Sequence, residues 1–291
     1  MILVTGASGK TGQAIIRLLS GLDEGVRALA HRPEQVERLK SAGAREVILG
    51  DLESPQTLDQ ACRGIRAVYH ICPNMHPQEI QIGRKALDAA LQAKVERFVY
   101  HSVLHPQAEA MPHHWNKLRV EEMIFTSGLA YTILQPCAYM QNVLGYWSKI
   151  TTDNVYPVPY SRQTRLSMVD LENVAQVAVK ALVGPDHDRA IYELCGPEAP
   201  TQTEVACMLG EMLGKTVRAE VQALDAWENA ARESGMNDYA RQTLMKMFVY
   251  YDRYGLIGSP SVLAWLLGRQ PTTFREFLLR TVQERNALPK Q

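Results

Sequence analysis

The chain has 291 residues, 46% of them hydrophobic, enough to bury one large α/β core or a core with a smaller appendage. Lys plus Arg and Asp plus Glu both number 31, so the chain lacks the basic excess that a nucleic-acid or anionic-membrane partner would demand. The five cysteines, Cys62, Cys72, Cys137, Cys195 and Cys207, are odd in number, scattered and without a C-x-x-C pair, which argues against a disulfide framework, a zinc knuckle or another metal site and for a reducing cytoplasmic setting.

Met1–Thr5 enters an apolar run with no basic residues, and Gly6 interrupts it before a signal-peptide core is complete. No apolar stretch reaches the roughly 20 residues of a membrane span, so a soluble chain is expected. Ile2–Thr5, Val26–Ala30, Glu46–Leu49, Ala67–Ile71, Arg97–Ser102 and Tyr131–Gln135 read as strands. Between them lie amphipathic stretches that include Thr11–Ser20, Pro33–Ala42, Pro77–Ala93 and His113–Ser127, with Pro33 suited to a first helical position. Strand and helix alternating at this interval predict a Rossmann-type α/β fold, a doubly wound parallel sheet with helices on both faces.

After about residue 136 the alternation loosens. Tyr156-Pro157-Val158-Pro159 reads as a connection and Leu166–Val169 as a short strand, followed by a helix over Leu171–Leu182 headed by Asp170. Ile191–Cys195 and Thr216–Val221 read as strands, Thr201–Leu213 as a helix with Thr201 and Glu204 in capping-box register, and 223–254 and 272–285 as mostly helical. The expected division is a dinucleotide-binding Rossmann domain over 1–150 and a mixed region over 151–291 that completes the sheet and forms a smaller α-rich C-terminal substrate lobe.

The most informative segment is Gly6-Ala7-Ser8-Gly9-Lys10-Thr11-Gly12, which follows a strand and opens a helix. In that context Gly6 permits a tight turn, Gly9 lets the backbone approach a pyrophosphate, and Gly12 lets the helix pack on the strand, while the helix N-terminus attracts the anion. Gly9-Lys10-Thr11 imitates the end of a P-loop, but the glycine that motif needs five residues earlier is Val4. Cofactor choice is read at the end of the second strand, Leu29-Ala30-His31-Arg32. No acid stands there to meet an adenosine ribose, and Arg32 offers a planar fork for a 2′-phosphate, with Lys10 adding charge, so NADP(H) is expected over NAD(H).

Together these residues resemble the NmrA-like branch of the atypical short-chain dehydrogenase/reductases across essentially the whole chain. The resemblance is carried by Val4–Gly12, Ala30-His31-Arg32-Pro33, Gly50-Asp51-Leu52, Phe98–Ser102, Leu134-Gln135-Pro136 followed by Tyr139-Met140-Gln141-Asn142, and Val169-Asp170-Leu171. It implies that Asp51 and Leu52 lie by the adenine, that Cys72, Pro73 and Asn74 flank the cofactor, and that Tyr139, Met140, Gln141 and Asn142 border the nicotinamide.

The wider superfamily moves protons with a Ser and with a Tyr four residues before a Lys. Ser102 and Lys117 are present here, but position 113 is His. The i, i+4 spacing keeps His113 and Lys117 on one helix face. Lys117 would hydrogen-bond the nicotinamide ribose, and His113, a neutral imidazole at ordinary pH, could relay a proton; its alternative is a surface histidine at a helix start. Solvent could also supply the proton when a quinone accepts hydride. Cys72 and Cys137 read first as buried thiols, and the aromatic face of Tyr239–Tyr254 first as packing, its alternative being a lid over a flat substrate.

The leading functional expectation is an NADPH-dependent reductase of a small apolar or aromatic conjugated acceptor such as a quinone. The alternatives are a non-catalytic NADP(H) sensor acting through a protein partner, and a structural or assembly protein with a vestigial core. A homodimer is compatible with the sequence, which carries no interface signature.

Overall fold

In the computed structural model, which describes residues 1–287, the first half alternates as β1 (Ile2–Val4), α1 (Lys10–Gly21), β2 (Val26–Ala30), α2 (Val36–Ser41), β3 (Glu46–Leu49), α3 (Pro55–Cys62), β4 (Ala67–His70), α4 (Glu79–Gln92), β5 (Arg97–His101), α5 (Pro112–Phe125) and β6 (Tyr131–Pro136). The chain continues through β7 (Ala138–Tyr139), α6 (Trp147–Thr152), β8 (Val155–Val158), β9 (Met168–Val169), α7 (Leu171–Val183), β10 (Ala190–Leu194), α8 (Gln202–Leu213), β11 (Arg218–Val221), α9 (Leu224–Glu233), α10 (Asp238–Tyr254), α11 (Ser261–Leu267) and α12 (Phe274–Ala287).

Seven strands form one sheet in the order β10-β6-β5-β4-β1-β2-β3. The ladders from β3 to β6 are parallel, with Ile2 of β1 opposite both Val26 and Ala67. Every residue of β1 and β4 is buried, as strands covered on both faces must be. From β1 the order runs outward to β2 and β3 on one side and to β4, β5 and β6 on the other. The crevice between the carboxyl ends of β1 and β4 is therefore the topological switch point, where such sheets receive ligands. The doubly wound Rossmann-type sheet read from the sequence is thus present.

The chain divides into two compact units, one of Met1–Pro136 with Val174–Glu193, the other of Cys137–Asn173 with the residues from Leu194 onward. The boundary at residue 150 anticipated from the sequence lies inside the second unit. The first unit is held by Leu3, Val68, Phe98, Tyr100 and Ile133 from the sheet against Ala86 and Ala90 of α4 and Val120 and Ile124 of α5. In the second, Met140, Val143, Tyr156, Val158, Val205, Leu209, Phe274 and Phe277 share a core.

Local differences from the sequence reading have physical causes. Tyr156–Val158, read as a connection, belongs to β8, which pairs with β11 alone in a two-stranded sheet; an edge strand tolerates Pro157, whose missing N–H no second neighbour requires. The strand expected from Leu166 begins at Met168, since Leu166 makes an isolated bridge to Leu256. Thr201 and Glu204 form the expected capping box. On α10, Phe248 and Tyr251 are buried and meet Trp227 and Tyr160 at ring distances of 4.7 to 6.1 Å. Among the described residues no helix is long and apolar enough to cross a membrane.

Candidate functional site

The turn after β1 is built against the end of β4. Thr5 donates its N–H to the Tyr69 carbonyl (3.0 Å), and its hydroxyl accepts the Ile71 N–H (3.0 Å) and lies 3.0 Å from His70 Nδ1. Gly6 follows with φ +57°, and a Cβ there would stand 2.5 Å from Ile71 Cγ2 and 2.8 Å from the Ile71 carbonyl oxygen. At Gly12 a Cβ would fall 2.7 Å from both Ala7 Cα and the Gly6 oxygen. Gly9 is different. Its φ is −72°, and a Cβ would meet only the Gly6 oxygen, at 3.3 Å.

The fold itself therefore demands glycine at 6 and 12 and far less so at 9, where a Cβ would crowd one backbone oxygen by a few tenths of an ångström and the lack of a side chain opens the exposed approach to α1. The first turn of that helix carries no acidic residue and no side-chain cap, so its N–H groups and positive dipole end suit an anion. Gln13 Nε2 (2.7 Å) and Arg38 (2.5 Å) both donate to the Ser8 carbonyl and hold the turn from outside. Ala7 and Thr11 are buried, Ser8 half-buried, and Lys10 exposed. These features fit a dinucleotide pyrophosphate.

Beyond β2, Gln35 Oε1 accepts the N–H groups of His31 (3.0 Å) and Arg32 (3.1 Å), fixing the backbone from which Arg32 projects into solvent. Its guanidinium Nε lies 3.8 Å from Glu34, a carboxylate the sequence reading passed over. After β3, Asp51 accepts the Glu53 N–H (2.8 Å) in a tight turn, and Leu52 packs on the core of the first unit. Past β4, Cys72 is buried, and Pro73 and Asn74 are exposed on the way to α4. Burial pushes the Cys72 thiol far up, with the Glu79 carboxylate adding to the effect, so it stays protonated.

Lys117 lies on α5, nearly buried. Its Nζ donates to Glu79 Oε1 (2.8 Å) and to the His101 carbonyl (3.3 Å) and stands 5.5 Å from the centre of the Tyr100 ring. Ser102 follows β5 and donates its hydroxyl to Glu121, whose two oxygens also accept from Gln135 Nε2, each at 3.0 Å. Burial raises the Glu121 carboxyl, against the pull of Ser102, Gln135 and Lys117. His113 is 7% exposed, so it is not a surface residue; it packs edge-on against His114 at 4.3 Å and leaves Nδ1 buried without a partner. The structure thus brings Lys117 to Glu79 and Tyr100, and gives the Ser102 hydroxyl to Glu121.

Four buried histidines surround this lysine. Burial, reinforced by the Lys117 charge, lowers His70 and His101 to about 3; burial, then His114 and Lys117, takes His113 to about 2. Burial takes His114 to about 4 despite a hydrogen bond to the His105 carbonyl. All four are neutral imidazoles at physiological pH.

Of the segment expected beside the nicotinamide, all in the second unit, Tyr139 ends β7 and Met140 is fully buried. Gln141 hydrogen-bonds Asp170 (2.7 Å) and accepts the Leu171 N–H (3.1 Å), and Asn142 is exposed. Asp170, fully buried, also pairs with Arg280 (2.7 Å). The sequence reading missed Glu79, Tyr100, Glu121 and Gln135 as partners of the named residues. For Glu121 a signal existed, since it lies one turn beyond Lys117.

A seven-stranded sheet wound in this order, with a glycine turn opening a helix at its switch point, defines a Rossmann-type α/β protein. More particularly, the chain belongs to the NmrA-like family, whose model matches residues 1–278. It is 29% identical over 282 residues to NAD(P)H azoreductase from Xenophilus azovorans, covering 95% of this chain and 96% of that one. It is 25% identical over 280 residues to quinone oxidoreductase 2 from Escherichia coli, covering 95% and 96%. The crystal structure of the Escherichia coli NADPH-dependent quinone oxidoreductase complexed with NADPH superposes with a TM-score of 0.84 at 23% identity, covering 97% of this chain and all of that one.

Two outcomes follow from this geometry. Gly9→Ala should cost clearly less stability than Gly12→Ala and weaken dinucleotide binding by about tenfold or more, whereas Gly12→Ala should cost roughly 1–3 kcal/mol through overpacking; calorimetry and cofactor titration of both variants separate the two roles, and a Gly9 variant that binds normally would contradict the assignment. The histidines set the acid limit. Unfolded, each binds its proton near the ordinary imidazole value of 6.5; folded, not until about 2 to 4. Stability is therefore complete above pH 6.5 and falls as the pH drops toward 4, on the order of 1 kcal/mol per pH unit for each histidine, with Glu121 opposing weakly. Urea midpoints at pH 7.5, 6 and 5 should decline; a flat or rising series would contradict neutral burial.

Proposed function

We propose that the chain is an NAD(P)H-dependent oxidoreductase that passes hydride to a small conjugated acceptor, apolar or aromatic, such as a quinone or an azo compound, with NADP(H) preferred over NAD(H). The observation that carries this reading is Gly9, where the fold asks much less for glycine than at 6 and 12, standing before an uncapped helix end at the switch point. The names of the azoreductase and quinone oxidoreductase relatives support a nicotinamide-dependent reduction. Bound nicotinamide supplies the hydride; the residues of this chain bind, orient and manage protons.

In this reading the turn from Gly6 to Gly12 holds the pyrophosphate, with Lys10 adding charge. Asp51 and Leu52 border the adenine, and Cys72, Pro73 and Asn74 flank the cofactor. Arg32 receives the 2′-phosphate. Glu34 competes for Arg32, but both side chains are about two-thirds exposed, and such a pair contributes no more than about 1 kcal/mol. Lys117 holds the nicotinamide ribose. His113 is neutral and has an unpartnered ring nitrogen, so it acts as a hydrogen-bonding relay and not as an imidazolium acid. Ser102 orients Glu121 on the same side of α5, and the proton that completes reduction comes through His113 or from solvent.

Titration should show NADPH binding more tightly than NADH, and NADPH should be oxidised by at least one member of a panel of quinones, azo dyes and enones. Binding without oxidation by any acceptor would overturn the enzymatic reading and leave a cofactor-responsive binder in its place. Arg32→Ala should weaken NADPH by about tenfold, the scale of one charge-assisted hydrogen bond, and NADH much less. Equal losses for the two cofactors would remove the case for NADP(H) preference.

A further inference from the structure

We infer that Glu79 is the positioning residue that fixes the charge and place of Lys117, and thereby sets the pH range over which the site holds its cofactor; the inference rests on Lys117 facing the cofactor, as proposed above. Glu79 is the first residue of α4, 3% exposed, where the positive end of the helix dipole favours a carboxylate. Its Oε1 accepts from Lys117 Nζ (2.8 Å) and from the Tyr100 hydroxyl (3.1 Å), and its charge reaches the buried Cys72 thiol and helps keep it protonated. Donors from β5 and from α5 thus converge on one carboxylate beside the crevice that opens next to β4.

The other groups around the ammonium do not replace it. Tyr100 and His101 on β5, His70 and Cys72 at the end of β4, and His113 and His114 on α5 are neutral: burial holds the phenol and the thiol up and the imidazoles down. Glu121, one turn along α5, is engaged by Ser102 and Gln135. Glu53 lies farther out, where its carboxylate is 3.5 Å from His76. A lysine side chain only 10% exposed and deprived of its counter-ion gives up its proton readily. Without Glu79, Lys117 would meet the cofactor as a neutral, mobile amine over part of the ordinary pH range.

The test compares the natural chain with Glu79→Gln, Glu79→Asp, Lys117→Met and the double variant Glu79→Gln/Lys117→Arg. NADPH titrations run from pH 6 to 9.5, together with 13C NMR of the lysine ε-carbons, the Lys117 signal being assigned by its loss in Lys117→Met. Relative to the natural chain at the same pH, Glu79→Gln should bind within a few-fold at pH 6 and lose about tenfold or more by pH 9. Its Lys117 resonance should titrate at lower pH than in the natural chain, and Glu79→Asp should fall between. Arginine keeps its proton throughout, so the double variant should lose the extra pH dependence. An affinity profile for Glu79→Gln that stays parallel to the natural one, or an unmoved Lys117 resonance, would reduce Glu79 to packing and overturn the inference. Should Glu79→Gln fail to fold, Glu79→Asp decides on the same resonance. If no form binds NADPH at any pH, the proposed function fails, while the resonance still reports whether Glu79 holds the lysine charge.

Discussion

The close approach of the chain leaving β1 to the first residue after β4 is the constraint on which the site depends. Gly6 passes over Ile71 so tightly that a Cβ would stand 2.5 Å from a side-chain carbon and 2.8 Å from a carbonyl oxygen, and Thr5 ties the two strand ends together through its N–H and hydroxyl. The turn can then tighten enough to aim the N-terminus of α1 along the crevice between β1 and β4. The loop that begins at Ile71 carries the chain past Cys72 to Glu79 at the head of α4, and α4 packs on α5 through Ala86, Ala90, Val120 and Ile124. Lys117 inherits its place from that packing. One steric requirement between residues 6 and 71 thus connects the glycine turn to the buried lysine.

The second organising force is electrostatic. In the low dielectric around Lys117, its ion pair with Glu79 and the nearby Glu121 carboxyl are set among imidazoles, a phenol and a thiol, all neutral because burial disfavours their charged forms. A site of this kind holds no ready proton on an imidazolium. Such chemistry suits acceptors that take up negative charge by delocalisation after hydride arrives, since they do not require a strong acid at the moment of transfer. The His113 that stands where a tyrosine was anticipated is compatible with that demand because the demand is modest.

Much of this was legible in the sequence, and what was not has a common cause. Strand periodicity, the glycine spacing and the i, i+4 pair at 113 and 117 are local patterns, and β1 to β6 were located within about a residue. The partners of the functional side chains were hidden: Glu79 and Lys117 are 38 residues apart, and Ser102 and Glu121 are 19 apart. No periodicity encodes a contact between elements. Pro157 misled for a different reason, since a rule drawn from central strands fails on an edge. The short helix α3 carried readable signals, Pro55 at its first position and Ser54 accepting the Thr57 N–H, but too few apolar positions to show a face.

Arg32 illustrates how a local reading and a three-dimensional one combine. No acid stands at the end of β2, yet Glu34 lies 3.8 Å from the guanidinium. Magnitude decides between them. An exposed pair at that separation is weak and screened by salt, whereas a phosphate offers a guanidinium a dianion and bidentate geometry. Arg38 adds a second consideration, because its guanidinium already donates to the Ser8 carbonyl. It cannot be devoted wholly to a phosphate, but it couples the helix following β2 to the turn that follows β1. In the proposed cofactor placement, discrimination at the adenosine end and anchoring at the pyrophosphate are mechanically linked through Arg38, and a change there disturbs both, while a change at Arg32 disturbs only the first.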